Sequence, residues 1–155
     1  MVNCEIPFNS TNKFNLIIWD LFETDDKLDN TPERRNMMVI MKSAPERIFG
    51  RCSHILINGE EVKVTEFHEE AFANANKELG GQGEWVLAFA RIYLDPTKFP
   101  KDFKFNMQKD QYNFPMQDLC FIGIVSLNDP PRKYVDYSVV KCRRAGIKVI
   151  MVTGD

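Results

Sequence analysis

Three places in this 155-residue chain bring together side chains that could act on a charged ligand. The first is Thr153-Gly154-Asp155, which closes an apolar run from Ile147 to Val152. A buried strand ending this way delivers a hydroxyl and a carboxylate to the carboxyl edge of a sheet, where open α/β folds bind ligands. That pairing suits a cation or phosphate neighbourhood, although three residues alone do not define a site. The second is Phe8 and Lys13, which flank the turn formers Asn9-Ser10-Thr11-Asn12. An aromatic face can stack on a base, and a flexible ammonium is a point charge for phosphate. Read by themselves, the two residues favour a core Phe and a solvated Lys. The third is Lys42, last in an apolar strand that starts at Met37. Ser43 and Glu46 after it have the spacing of a capping box, with Pro45 in the first turn of a helix. Lys42 then sits at a strand end, either solvated or facing a ligand.

Other chemistry-bearing residues read more plainly. Asp25, Asp26 and Asp29 fall in a polar stretch from Glu23 to Asn36, which reads as a solvated loop in preference to a cation site. His54 and His68 have no evident partners and read as packing or surface residues.

The elements that must position these groups are legible as patterns. Met1–Phe8 and Lys13–Phe22 predict an antiparallel hairpin. His54–Ile57 and Glu61–Val64 predict another about Asn58-Gly59. Thr65 caps a helix with Phe67, Ala71, Phe72, Ala75 and Leu79 as its buried stripe, ended by Gly80-Gly81. Glu84–Leu94 predicts a central strand, with Trp85, Leu87 and Phe89 on one face and Val86, Ala88, Ala90, Ile92 and Leu94 on the other. Asp95–Asp118 is long and irregular, with Phe99, Phe103 and Phe105 packing down. Cys120–Leu127 predicts a strand buried on both faces. Asn128 to Arg132 breaks it, because Pro130 and Pro131 fix φ and remove two donors. Pro131 suits the first turn of a helix carrying Val135, Val139 and Cys142 inward. Lys141, Arg143 and Arg144 complement its dipole, Gly146 ends it, and Ile147–Val152 forms a second buried strand.

Composition narrows the classes. A formal net charge of −2 argues against a general nucleic-acid binder. No apolar run is long enough to span a bilayer, and the first residues lack the pattern of a signal peptide. Cys4, Cys52, Cys120 and Cys142 are widely spaced, which argues against zinc and for reduced thiols.

The longer context carries a family resemblance. Asn128-Asp129-Pro130-Pro131-Arg132, Lys141-Cys142-Arg143 and Ala145 through Asp155 resemble the P-type cation-pumping ATPases of the sodium/potassium type. So do Glu5 through Lys13, Lys42-Ser43-Ala44-Pro45-Glu46, and Leu79 through Leu87. The resemblance implies an α/β fold. An antiparallel sheet with flanking helices forms part of a nucleotide-binding domain (residues 1–125). A strand-helix-strand piece of a Rossmann-like, haloacid-dehalogenase-type sheet follows in residues 126–155, the return into the phosphorylation domain. It implies that Phe8 stacks on adenine, that Lys13 and Lys42 line the nucleotide pocket, and that Asp129, Pro130, Pro131 and Arg132 form the hinge. Thr153, Gly154 and Asp155 then lie beside a phosphorylated aspartate.

Two positions depart from the family pattern. Ser43 stands where the family has Gly and is expected to narrow the pocket, since it adds a Cβ. Trp85 stands where the family has an Arg that contacts the nucleotide's sugar-phosphate region. The implied function is an ATP-binding segment that positions ATP, with Mg2+, for transfer to an aspartate absent from this chain. Implied partners are the rest of the pump's catalytic subunit and its beta subunit, at the cytoplasmic face of the membrane. No nucleic acid and no direct membrane contact are expected. The motif Asp-Lys-Thr-Gly-Thr does not occur in the sequence, so no catalytic residue and no turnover by this chain alone are expected. A second reading is a non-catalytic truncated relic or interaction module with a degraded pocket. A third, a small phosphatase, needs a nucleophilic aspartate strand that the sequence lacks.

Overall fold

A computed structural model describes residues 2–21, 37–100 and 102–152. The expected loop at Glu23–Asn36 and the Thr153-Gly154-Asp155 motif lie outside the described residues.

One seven-stranded sheet dominates the chain, ordered β1-β2-β3-β6-β7-β4-β5. The strands are β1 (Val2–Ile6), β2 (Phe14–Asp20), β3 (Met37–Ser43), β4 (Cys52–Ile57), β5 (Glu60–Lys63), β6 (Trp85–Leu94) and β7 (Leu119–Leu127). The helices are α1 (Pro45–Phe49), α2 (Glu66–Gly81) and α3 (Val135–Arg144). The sheet is mixed, because β4 and β7 run parallel while every other pair is antiparallel.

Side chains alternate across a strand, so the register fixes which residues share a face. Leu16, Met41 and Ala90 stand in line across β2, β3 and β6, and all three are fully buried. Ile18, Val39, Met37 and Leu94 extend the same apolar layer. The helix α1 adds Ile48 to it. Phe49 stacks on Phe72 of α2 with ring centroids 4.1 Å apart, and both rings meet Phe121 of β7 edge-on. The irregular segment before β7 closes this side too, with Phe114 buried and Phe99 and Phe105 packed against the core. Phe99 and Phe103 pack edge to face at 5.0 Å.

Local signals decide the turns. Asn58 and Gly59 have φ of 51° and 89°, the positive pair that a tight hairpin between β4 and β5 requires. The start of α2 is a capping box: the Thr65 N–H donates to His68 Nδ1 at 3.1 Å, and the Thr65 side chain accepts from the His68 N–H. His68 therefore has a structural partner that the sequence reading did not find. Asp95 shapes the turn after β6, its Oδ1 accepting from the Thr97 N–H at 2.9 Å and hydroxyl at 2.7 Å. The Thr97 hydroxyl first, and its N–H second, hold the Asp95 carboxyl below its usual range. A depressed folded-state pKa stabilises this turn at pH values above the unfolded aspartate's, and the gain fades as pH falls through the folded value. An NMR titration of the Asp95 side chain is expected to give a midpoint below that of an unstructured aspartate, rising toward it in Thr97→Val.

The structure corrects several sequence expectations. Ile147–Val152 forms no strand, and Ile147, Val149, Ile150, Met151 and Val152 are all exposed. Apolar content alone does not make a strand; it needs a neighbour to take its backbone hydrogen bonds, and among the described residues it has none. The strand-helix-strand piece is thus only β7 and α3 here. Nor is β7 buried on both faces. Leu119, Cys120 and Phe121 are buried, whereas Val125 and Leu127 are about half exposed, because pairing with β4 ends at Phe121. Pro131 precedes α3 by several residues instead of sitting in its first turn, and no α3 residue is buried. The α2 stripe reduces to half-buried Phe72, Ala75 and Leu79, with Ala71 and Phe67 exposed. Cys52, expected toward the core from a helix, lies in β4, where burial first and Cys120 second push its thiol up to about 12.

Candidate functional site

Antiparallel pairing brings distant residues of the candidate site to one end of the sheet. The carboxyl end of β3 lies beside the amino ends of β2 and β6, since Ser43 pairs with Phe14 on one side and with Ala88 on the other. Lys13 immediately precedes that row, Lys42 is one residue into it, and Trp85 lies three residues beyond Ala88 on β6. The β1–β2 turn that carries Phe8 closes the same end, beyond the Ile6–Leu16 pair.

Each of these side chains is open to solvent. Phe8 is 64% and Trp85 71% exposed, and Lys13 and Lys42 are exposed. Lys42 pairs with Asn15 and Phe89, so it stands on the sheet face opposite the Leu16–Met41–Ala90 layer. Trp85 is four residues from Phe89 and shares that face. Phe8 is therefore not a core residue, contrary to what the residue pair alone suggested.

The turn between Phe8 and Lys13 is built by one side chain. Asn9 Oδ1 accepts from the N–H groups of Thr11 at 3.0 Å and Asn12 at 2.7 Å, and the Asn9 carbonyl accepts from the Lys13 N–H at 2.9 Å. This closed turn forces Lys13 to a φ of 63°, a left-handed conformation that non-glycine residues rarely hold. Behind it, the Asn15 amide donates to Glu5 Oε1 and to the Ile6 carbonyl, each at 3.2 Å, tying β1 to β2.

Ser43 departs from its capping-box reading. The N-cap of α1 is Ala44, without a side-chain cap. The Ser43 side chain is instead 3% exposed, and its hydroxyl donates to the Lys13 carbonyl. It points into the buried face, away from Lys42. A capping box is a local signature, and here a partner thirty residues away in sequence takes the hydroxyl.

Asp129, Pro130, Pro131 and Arg132, expected to form a hinge, are exposed and without regular structure between β7 and α3. Among the described residues, two surface concavities lie elsewhere. One, of about 360 Å3, is lined by Phe49, Cys52, Val64 and Phe72 beside α2. The other, of about 600 Å3, includes Arg91, whose Nη2 meets Glu61 Oε1 at 3.3 Å. The gathered end presents a platform of exposed groups, the rings of Phe8 and Trp85 and the ammonium groups of Lys13 and Lys42. In general, an exposed ring can stack on a base and an exposed ammonium group can neutralise phosphate charge. Among the described residues no cluster of three or more His, Cys, Asp or Glu could hold a metal ion. No helix among them is long and apolar enough to cross a membrane.

These features define a mixed α/β domain dominated by one sheet, with α1 and α2 packed against it and exposed cations at one end. The model of the P-type ATPase cytoplasmic domain N matches residues 2–134, and the chain belongs to that family. It is similar to the sodium/potassium-transporting ATPase subunit alpha-2 of Gallus gallus, 53% identical over 97% of this chain and 14% of the relative. The human sodium/potassium-transporting ATPase subunit alpha-3 is also 53% identical, and the potassium-transporting ATPase alpha chain 2 of Cavia porcellus 50%, with the same coverage. The chain thus spans 14% of the length of these curated relatives.

Proposed function

We propose that this domain binds ATP at the end of the sheet where Phe8, Lys13 and Lys42 converge. The observation that carries the reading is the register, which sets Lys42 one residue from the row joining β2, β3 and β6 and leaves its ammonium in solvent. Phe8 stacks on the adenine ring. Lys13 and Lys42 neutralise phosphate charge. Trp85 supplies ring surface but no cation, so the site is weaker than one with arginine there. The Mg2+ that accompanies ATP takes its ligands from the phosphates, water and residues beyond these.

In this reading the domain holds ATP for phosphoryl transfer to an aspartate supplied from outside the 155 residues. It acts together with the remainder of a cation pump's catalytic subunit and a beta subunit, at the cytoplasmic face of a membrane. Residues 1–125 serve as nucleotide-binding domain and Asp129–Arg132 as the hinge toward a phosphorylation domain to which Thr153, Gly154 and Asp155 belong. The exposed Trp85 at the platform favours a second reading, an interaction module whose pocket has decayed.

Amine-reactive labelling separates the two. ATP at about millimolar concentration, a binding free energy near −4 kcal/mol, is expected to protect Lys42 in the folded chain while an exposed lysine remote from the site, such as Lys63, labels unchanged. Equal labelling of Lys42 with and without ATP would favour the interaction module.

A further inference from the structure

Ser43 is buried, polar and unassigned, and its hydroxyl reaches the backbone of a residue in the candidate site. We infer that Ser43 is a positioning residue, which sets the direction of Lys13 toward bound nucleotide by holding the Lys13 carbonyl against the end of β3. The inference rests on the ATP-binding reading and adds to it a residue that never touches the ligand.

Three observations meet at this point. Lys13 sits at a φ of 63°, which a lysine adopts only where its surroundings impose it. Its N–H is fixed from one side by the Asn9 carbonyl at 2.9 Å. Its carbonyl is fixed from the other side by the Ser43 hydroxyl. The peptide units on both sides of the Lys13 Cα are thereby held, and with them the direction in which its Cβ leaves the chain. The bond also crosses the β2–β3 junction immediately beside Lys42, so it sets where one cation starts relative to the other. Glycine at position 43 has no hydroxyl and cannot make this link.

A hydroxyl that orders a ligand-binding lysine should be worth about three- to tenfold in affinity, the size of a single neutral hydrogen bond. The test is a double-mutant cycle on ATP binding with Ser43→Ala, Lys13→Ala and the double variant, together with amide exchange at Lys13. Ser43→Gly is run in parallel to separate loss of the hydroxyl from any effect of the remaining Cβ, and thermal unfolding confirms that each variant is folded. The expected result is a three- to tenfold loss in Ser43→Ala and Ser43→Gly, no further loss when Ser43→Ala is added to Lys13→Ala, and faster exchange of the Lys13 amide in both serine variants. Unchanged affinity in folded Ser43→Ala, or an equal loss in the Lys13→Ala background, overturns the inference while leaving the ATP site standing. If the parent binds no ATP, the binding reading fails and the positioning role with it. Exchange at Lys13 then still shows whether the hydroxyl holds that backbone.

Discussion

Replacing Trp85 with arginine is expected to tighten ATP binding by about ten- to a hundredfold. The factor follows from one charge-assisted hydrogen bond, worth about 1.5–3 kcal/mol, with each 1.4 kcal/mol a decade of affinity. Trp85 opens β6 at the platform end and is 71% exposed, so its ring contributes little to the core. Its cross-strand partner, Leu127, is itself half exposed. An arginine there keeps the methylene stem over the same surface and carries a planar, permanently charged fork toward the phosphates. The fold should hardly notice, because exposed substitutions away from special features shift stability by about 0.5 kcal/mol or less. Affinities of parent and variant, measured side by side, check the factor. A variant that folds normally and binds no better would place Trp85 away from the nucleotide.

Leu16→Ala is expected to cost about 2–5 kcal/mol of folding stability, whereas Phe67→Ala should change it by about 0.5 kcal/mol or less. Leu16 is fully buried in β2, between Ile6 of β1 and Met41 of β3, in the layer on which α1 and the aromatic cluster rest. Truncating it removes buried methyl groups and leaves a cavity that the flanking strands cannot readily close. Phe67 is 74% exposed in the first turn of α2 and meets the His68 ring edge-on at 5.7 Å. Denaturant titration of both variants measures the contrast. Equal losses would mean that the first turn of α2 packs on the sheet after all, as its helical spacing suggested.

That contrast shows where pattern reading works. Asn58-Gly59 predicted its hairpin because the requirement, positive φ at two successive residues, is met within the dipeptide itself. The alternation in β6 held because both its neighbours are present along most of its length. Phe67 misled because amphipathic spacing marks a face but not how far along the helix that face meets the sheet. Ile147–Val152 misled because apolar content says nothing about a pairing partner. Ser43 misled because its local capping signature competes with a backbone carbonyl in another strand, and only the folded chain shows which one takes the hydroxyl.

The candidate site rests on a different kind of signal. Phe8, Lys13, Lys42 and Trp85 carry no shared spacing or period. Their types suggested chemistry, and the resemblance to P-type ATPases joined them. The structure supplies the physical link, an antiparallel register that folds separate segments back onto one end of a sheet. His68 and Asp95 were not legible as structural residues, because a capping histidine and a turn-closing carboxylate look like ordinary surface polarity until their backbone partners are in place.

ATP binding at this end of the sheet is tested most directly by a calorimetric titration of the folded chain with ATP and Mg2+, repeated with Lys42→Ala. Saturable binding of one nucleotide per chain is expected, at about millimolar affinity or tighter, and clearly weaker in the variant. No saturable binding to the folded parent, or binding that Lys42→Ala leaves unchanged, would contradict the ATP-binding reading.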